Sequence, residues 1–268
     1  MSRRVLVPLI CCIAAMQWAC ASAPAPARPP IAAVKAEPRL PEQLSYRITH
    51  SLAGHVGDLA FAVSVTRGPQ GQKLWTGHGH GGGSFLGIGT KSRFSTTFDP
   101  STQHASAWTL HRDTGNAVIL DECSQAQPGV ITTHRQRSDR PEEWATLQAG
   151  APTYDPLSFL MALRTRAAGK WSVPVLEGRA LWHVNATPLQ VETIQWGGRV
   201  VKALRYNLHA LPLDWQRQPS KTRKPRDFTV WLANTPERTP LVMKTSAPLG
   251  EVRLELQAPA IAQRLQSP

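Results

Sequence analysis

Reactive chemistry is what this sequence has least of. No Gly-x-Ser-x-Gly elbow occurs in its 268 residues, which excludes that hydrolase arrangement although His80-Gly-Gly-Gly83 is similar to the oxyanion segment of some esterases. The glycine-rich run from Thr76 to Lys91 is no phosphate cradle, because Ile88 and not Lys-Ser/Thr follows Gly87. Cysteine is scarce: Cys11, Cys12 and Cys20 lie in or at the end of an N-terminal leader, which leaves Cys123 alone in the body. An internal disulfide is excluded unless an unlipidated Cys20 survives to pair with it. A free cysteine is ordinarily a small buried hydrophobe; a catalytic thiol would need a base and an electropositive setting. Past the leader no stretch reaches the roughly 20 apolar residues of a membrane-spanning helix.

The leader itself is clear. Met1-Ser-Arg-Arg precedes the short apolar run Val5-Leu-Val-Pro-Leu-Ile-Cys-Cys-Ile-Ala-Ala-Met16, the pattern of a secretory signal peptide. We place the signal at residues 1–19. Gln17-Trp-Ala-Cys20 is similar to a bacterial lipobox, with Gln17 standing where leucine is usual, and we read Cys20 as the lipid-attachment site. The competing cut is the A-x-A-like Ala19-Cys-Ala21, before Ser22. Residues 20–39 include Ala-Pro-Ala-Pro-Ala-Arg-Pro-Pro30, which proline bars from helix and central strand, so they read as an extended tether. Residues 40–258 then form a single β-rich domain, and 259–268 a tail.

The formal charge of +12 falls to +10 once Arg3 and Arg4 leave with the leader. A basic exported protein suits anionic lipid head groups or envelope polymers; nucleic acid is a poor partner there. Arg217, Lys221, Arg223, Lys224 and Arg226 crowd one Pro- and Ser-containing stretch. It is either a solvated loop or a membrane-facing basic surface carried by Lys221, Arg223, Lys224 and Arg226.

Alternation of period two dominates the body. Leu44, Tyr46 and Ile48 share one face of a first strand, and Leu59, Phe61, Val63 and Val65 one face of the next. Further strands are expected near residues 73–76, 94–98, 105–111, 116–120, 130–137, 171–176, 179–184, 189–194, 200–208, 228–232, 241–245 and 252–256. Turns are expected at Asp113-Thr-Gly115, Gly197-Gly198 and Asn234-Thr-Pro-Glu-Arg238. Such short gaps favour antiparallel meanders. One segment breaks the pattern. Tyr154-Asp-Pro-Leu-Ser-Phe-Leu-Met-Ala-Leu-Arg164 reads as a short, nearly all-apolar helix. Asp155 suits its N-cap and Pro156 its first turn. A helix with so little polar surface is normally buried. The expected fold is therefore mainly β: a curved antiparallel sheet or half-barrel wrapped around one short buried helix on its concave face.

Other candidates are weaker. His78 and His80 would share a strand face and could begin a metal site if His50, His55 or His104 joined them; otherwise residues 77–89 are a flexible hairpin tip. Glu142 and Glu143 point apart on any regular element and read as a solvated loop. Arg164 is expected to meet strand carbonyls or a distant carboxylate, or to stay wet at the rim. Eight tryptophans outlast the leader; they are ordinary core, or part of an aromatic-lined cleft for which Trp182, Trp196, Phe159 and Met161 are candidates.

The helix segment resembles the Asp-x-Leu-Ser…Leu-Arg helix of the bacterial domain-of-unknown-function 3108 family, at Asp155, Leu157, Ser158, Leu163 and Arg164. The segments Leu44 to Gly57, Val230 to Val242 and Gly250 to Leu256 resemble that family's first and closing strands. Asn234-Thr-Pro departs from the family's usual acidic turn. The resemblance implies an exported envelope protein with an antiparallel half-barrel around a helix, a shape similar to the lipoprotein-localisation carriers, which shield acyl chains. It implies no reaction. The expected function is thus a non-enzymatic envelope protein with no cofactor, binding a lipid-like ligand or lipoprotein in an apolar cleft and anchored to the outer membrane through Cys20. The alternatives are a tethered structural or interaction module without ligand and, in a third class, a metal-dependent enzyme using His78 and His80.

Overall fold

The computed structural model of the protein describes residues 38–85, 88–167, 169–247 and 250–257. The leader, Cys20, the tether as far as residue 37 and the tail from 259 lie outside the described residues. The first eight strands are β1 (Glu42–His50), β2 (Gly54–Arg67), β3 (Lys73–Phe85), β4 (Ile88–Phe98), β5 (Ala105–Asp113), β6 (Val118–Gln127), β7 (Val130–Arg137) and β8 (Arg140–Gln148). Helix α1 (Pro156–Thr165) follows. The rest are β9 (Trp171–Glu177), β10 (Ala180–Trp196), β11 (Arg199–Leu213), β12 (Arg226–Ala233), β13 (Pro240–Ala247) and β14 (Gly250–Leu256).

These strands form one 14-stranded sheet in the order β8-β7-β6-β5-β4-β3-β2-β1-β14-β13-β12-β11-β10-β9. Every neighbouring pair is antiparallel. Two meanders meet where the first strand pairs with the last, with Tyr46 opposite Leu256. The sheet does not close. Its free edges are β8 and β9, and the chain between them carries α1.

That connection draws the two edges toward each other. The Tyr154 amide donates to Pro174 O (3.1 Å), the Leu176 amide donates to Tyr154 O (2.8 Å), and Ala105 donates to Thr153 O (3.2 Å). Arg179, in the β9–β10 turn, pairs with Glu143 of β8. Beneath them Trp108, Cys123, Ile131 and Leu147 pack with Leu176 and Leu181 from the far meander. The result is a curved half-barrel whose gap is sealed by side chains.

Helix α1 lies on the concave face, as its composition requires. Phe159, Ala162 and Leu163 pack with Trp182, Leu204, Tyr206 and Leu232 of the second meander. Leu157 and Met161 pack with Leu44, Tyr46, Phe61 and Leu256 around the β1–β14 seam. Each buried Leu, Met or Phe contributes about 1.5–3 kcal/mol relative to exposure.

Three segments differ from the sequence expectation. Residues 77–85 belong to β3 and are not a hairpin tip. Their glycines hide the alternation that marks a strand, yet glycine is what the packing demands. A Cβ on Gly77 would lie 2.4 Å from Leu157 Cδ2, and one on Gly79 would lie 2.4 Å from Phe94 Cζ and 2.5 Å from Ala60 O. Glu142 and Glu143 sit in strand β8, not in a loop; an edge strand exposed along most of its length shows no apolar period. Adjacent as they are, they do diverge: Glu142 faces His134 and Glu143 faces Arg179. Residues 179–184 and 189–194 are not two strands but parts of the single strand β10, which runs through a register shift between Pro188 and Val191.

The glycine packing is testable. Gly77→Val should destabilise the protein by about 1–3 kcal/mol through overpacking against α1. The same change at Gly89, where nothing lies within 4 Å, should cost under about 0.5 kcal/mol. Urea unfolding of the two variants decides it.

Candidate functional site: the trough beside the helix

Both ends of α1 are fastened to the sheet by buried polar groups. At the N-terminus Asp155 Oδ1 accepts from the Leu157 amide (2.9 Å) and the Ser158 amide (3.4 Å). Ser158 Oγ accepts from the Asp155 amide in return (3.0 Å), which completes a capping box. Asp155 Oδ2 accepts from Thr96 Oγ1 of β4 at 2.7 Å. Burial holds the Asp155 carboxyl above the usual carboxylate range, against the opposing pull of these hydrogen bonds.

At the C-terminal end Arg164 is fully buried. Its guanidinium forms a bidentate pair with Glu42, the first residue of β1, with Nη2 3.1 Å from Oε1. Nε and Nη2 also donate to Glu237 O, at 3.2 and 3.0 Å. Arg164 thus meets both a strand-end carboxylate and a carbonyl. Beside the pair Tyr46 donates to Pro240 O at 2.9 Å, and burial keeps its phenol protonated far above the ordinary range.

The helix does not fill the concave face. On the side of β2, β4 and β5 it leaves a hollow of about 330 Å³ walled by Leu59, Phe61, Phe94, Leu110, Leu157, Leu160, Met243 and Leu254, with Asp155, Trp108, Arg112, Glu177 and Gly178 also in its wall. A second part of about 540 Å³, bordered by Ile48, Val56, Thr90 and Val252, shares Leu59, Ser92 and Phe94 with the first. The first part lies between sheet and helix, and the second, lined by strand residues alone, continues the trough along the sheet.

Of the helix-motif residues, Asp155 and Leu157 line this trough, while Ser158, Leu163 and Arg164 are buried away from it. The four cleft candidates lie elsewhere. Trp182, Phe159 and Met161 are buried core residues, and Trp196 is fixed by donation from Nε1 to Leu256 O at 2.8 Å. Arg223 and Arg226 lie over the Trp182 ring, 5.4 and 5.0 Å from its centroid, and Arg223 donates to Leu213 O. Half of the basic cluster is therefore spent covering an indole, while Lys221 and Lys224 face solvent.

His78 and His80 do share a strand face, opposite the glycines that admit α1. With Lys91, Arg93, His111 and Asp113 they border an open groove of about 830 Å³ on the outer side of the sheet. Among the described residues no group of three His, Cys, Asp or Glu side chains is arranged to hold a metal ion. Cys123 is buried, its thiol 3.4 Å from Gly178 O, and burial, helped by Asp121, pushes its pKa up to about 12. It is a poor nucleophile.

The trough walls on β2, β4 and β5 follow from alternation that the sequence displays. Arg112, Glu177 and Met243 carry no such signal, because their place depends on how the two meanders come together.

This geometry defines a class, the open antiparallel half-barrel with a plug helix and an apolar trough. The family follows: the chain matches the Protein of unknown function (DUF3108) model over residues 45–257 and belongs to that family. None of the curated proteins matches it. Its fold is similar to a β-barrel-like protein of the domain of unknown function DUF1849 from Brucella abortus, with a TM-score of 0.52 and 10% identity over 83% of this chain and 98% of that one. A candidate lipoprotein from Parabacteroides distasonis aligns over 82% of this chain and 95% of its own, at 7% identity and a TM-score of 0.33. A candidate exported protein with a YmcC-like fold from Bacteroides fragilis aligns over 84% and 97%, at 7% identity and 0.30. At those last two scores the likeness carries no argument.

Asp155 gives a pH prediction. A carboxyl whose folded pKa is raised adds stability below its unfolded value, near 3.9, and that contribution is lost as pH rises through the folded value. Asp155→Asn keeps a capping oxygen but cannot titrate. The stability of the native protein relative to this variant should therefore rise as pH falls from about 7 to about 4.5. Urea unfolding at both pH values measures it, and a gap independent of pH would contradict the assignment.

Proposed function

We propose that this is a non-enzymatic protein of the bacterial envelope that holds the acyl part of a lipid or lipoprotein in the trough beside α1. The observation that carries this reading is the trough itself. Its two parts, about 330 and 540 Å³, fall within the roughly 300–1,000 Å³ of small-molecule sites. Leu and Phe side chains line both parts, joined by Ile48, Val56, Met243 and Val252. A protein made only to present its outer surface gains nothing from such a hollow, since apolar side chains left facing water forgo the stabilisation of burial.

The compartment is part of the proposal. The leader at residues 1–19 and the lipobox-like Cys20 support export and anchoring in the outer membrane. The unreactive Cys123 and the core positions of Ser158, Leu163 and Arg164 support a carrier or binding role over catalysis.

The test is native mass spectrometry of the full chain purified from bacterial membranes, followed by titration with a fluorescent dodecanoyl lipid. Co-purified lipid and saturable binding are expected. Leu160→Trp, which places an indole in the trough, should weaken binding at least about tenfold, the effect of 1.4 kcal/mol. A protein that is ligand-free and takes up no probe would favour the interaction-module reading instead.

A further inference from the structure

The groove on the outer side of the sheet gathers N–H donors from three adjacent strands. Cross-strand register sets His80 of β3 opposite Arg93 of β4, and Arg93 opposite His111 of β5. Residues so placed have Cβ atoms about 4.5–5.5 Å apart. His78 and Lys91 stand two residues along β3 and β4, on the same face. All five side chains line the groove of about 830 Å³, and Gly79, Gly81 and Gly82 give it bare backbone. His78, His80, Lys91 and Arg93 are exposed and His111 is half-buried, so their donors are open to a ligand from solvent.

These donors converge without an acceptor. Among the described residues, none of the five makes a side-chain hydrogen bond or an ion pair. By contrast His55, His134 and His209 lie 3.3, 2.9 and 2.6 Å from Asp58, Glu122 and Asp227. The carboxylates near the groove are engaged elsewhere. Asp113 stands opposite Lys91, but its Oδ1 accepts from the Gly115 amide at 2.9 Å. Asp58, opposite Gly82, is held by His55 and by Gln257 Nε2 at 3.2 Å. Arg93 therefore has a donor ring on each side and no carboxylate between. Arg and Lys carry fixed positive charge, and imidazole donates in either protonation state. Donors on three strands suit an anion whose acceptor oxygens point several ways, as those of phosphate do. A carboxylate offers two oxygens in one plane. Guanidinium also matches phosphate in bidentate geometry.

We propose that this groove is a binding site for a phosphate monoester, with Arg93 as its central contact and His80, His111 and Lys91 around it. The site faces away from α1, and it stands whether or not the trough holds an acyl chain. A lipid head group and a small soluble ester present the same phosphate oxygens.

Isothermal titration of the full chain with glycerol 3-phosphate and with dihexanoyl phosphatidic acid tests it, with acetate as the control anion. Both phosphates should bind saturably and acetate should not. Arg93→Gln should weaken phosphate binding at least about tenfold, the effect of losing a charge-assisted contact, and adding Lys91→Gln should weaken it further. Both positions are exposed, and urea unfolding checks that the variants fold. Arg67→Gln, exposed but outside the groove, should leave phosphate affinity unchanged. The variants at Arg93 and Lys91 should bind the fluorescent dodecanoyl lipid as the native protein does, which separates this site from the trough. Tighter binding of phosphatidic acid than of glycerol 3-phosphate would support the site and assign its phosphate to a lipid head group; equal binding would support it and assign a soluble ester. Absence of phosphate binding, equal binding of acetate, or phosphate affinity that survives Arg93→Gln and Lys91→Gln together would overturn the inference.

Discussion

A fully buried guanidinium sets the architecture. Arg164 sits at the C-terminal end of the only helix among the described residues, and its partner Glu42 opens the first strand, 122 residues earlier in the chain. Leaving either charge alone in the core costs several kcal/mol, so helix end and strand start must meet. Two further bonds to Glu237 O tie the same guanidinium to the β12–β13 turn. One side chain thus gathers the N-terminal strand, the helix and a turn from the far meander. At the other end Asp155 binds Thr96 of β4, and the helix is pinned across the concave face at both termini.

The trough is a consequence of that pinning. A helix of ten residues is about 15 Å long, too short to cover a sheet of 14 strands. Held at both ends, it cannot slide over to close the space beside β2, β4 and β5. The bare glycines of β3 let Leu157 press close on one side, while Leu59, Phe94 and Leu110 face open volume on the other. The open edges β8 and β9 are tied through the connecting segment, the Arg179–Glu143 pair and the side chains around Cys123. Helix anchorage and hollow therefore share one physical cause.

Much of this was legible in the chain. Alternation at Leu44-Ser-Tyr-Arg-Ile48 and Leu59 to Val65 marks strands because one face is buried and the other wet. The apolar run from Leu157 to Leu163, with Asp155 and Pro156 ahead of it, marks a buried capped helix. What was not legible has physical reasons. Glycine carries no side chain to alternate, so β3 was hidden behind Gly77 to Gly83. Strand β8 is exposed along most of its length, so it showed no period. Aromatic residues were candidates for the cleft because of their size, yet Trp182 and Trp196 fill the core, and leucines with Phe61 and Phe94 form the trough. The partner of Arg164 is set by tertiary topology, and no local pattern announces a contact between residues 42 and 164.

The most direct measurement is a double-mutant cycle at Glu42 and Arg164, read by urea unfolding. Glu42→Leu and Arg164→Met should each cost about 3–5 kcal/mol, because each strands a buried charge. The pair together should cost far less than the sum, since two apolar side chains replace a matched ion pair. Additive losses, or single losses under about 1 kcal/mol as for a solvated pair, would contradict the claim that this contact holds the helix inside the half-barrel.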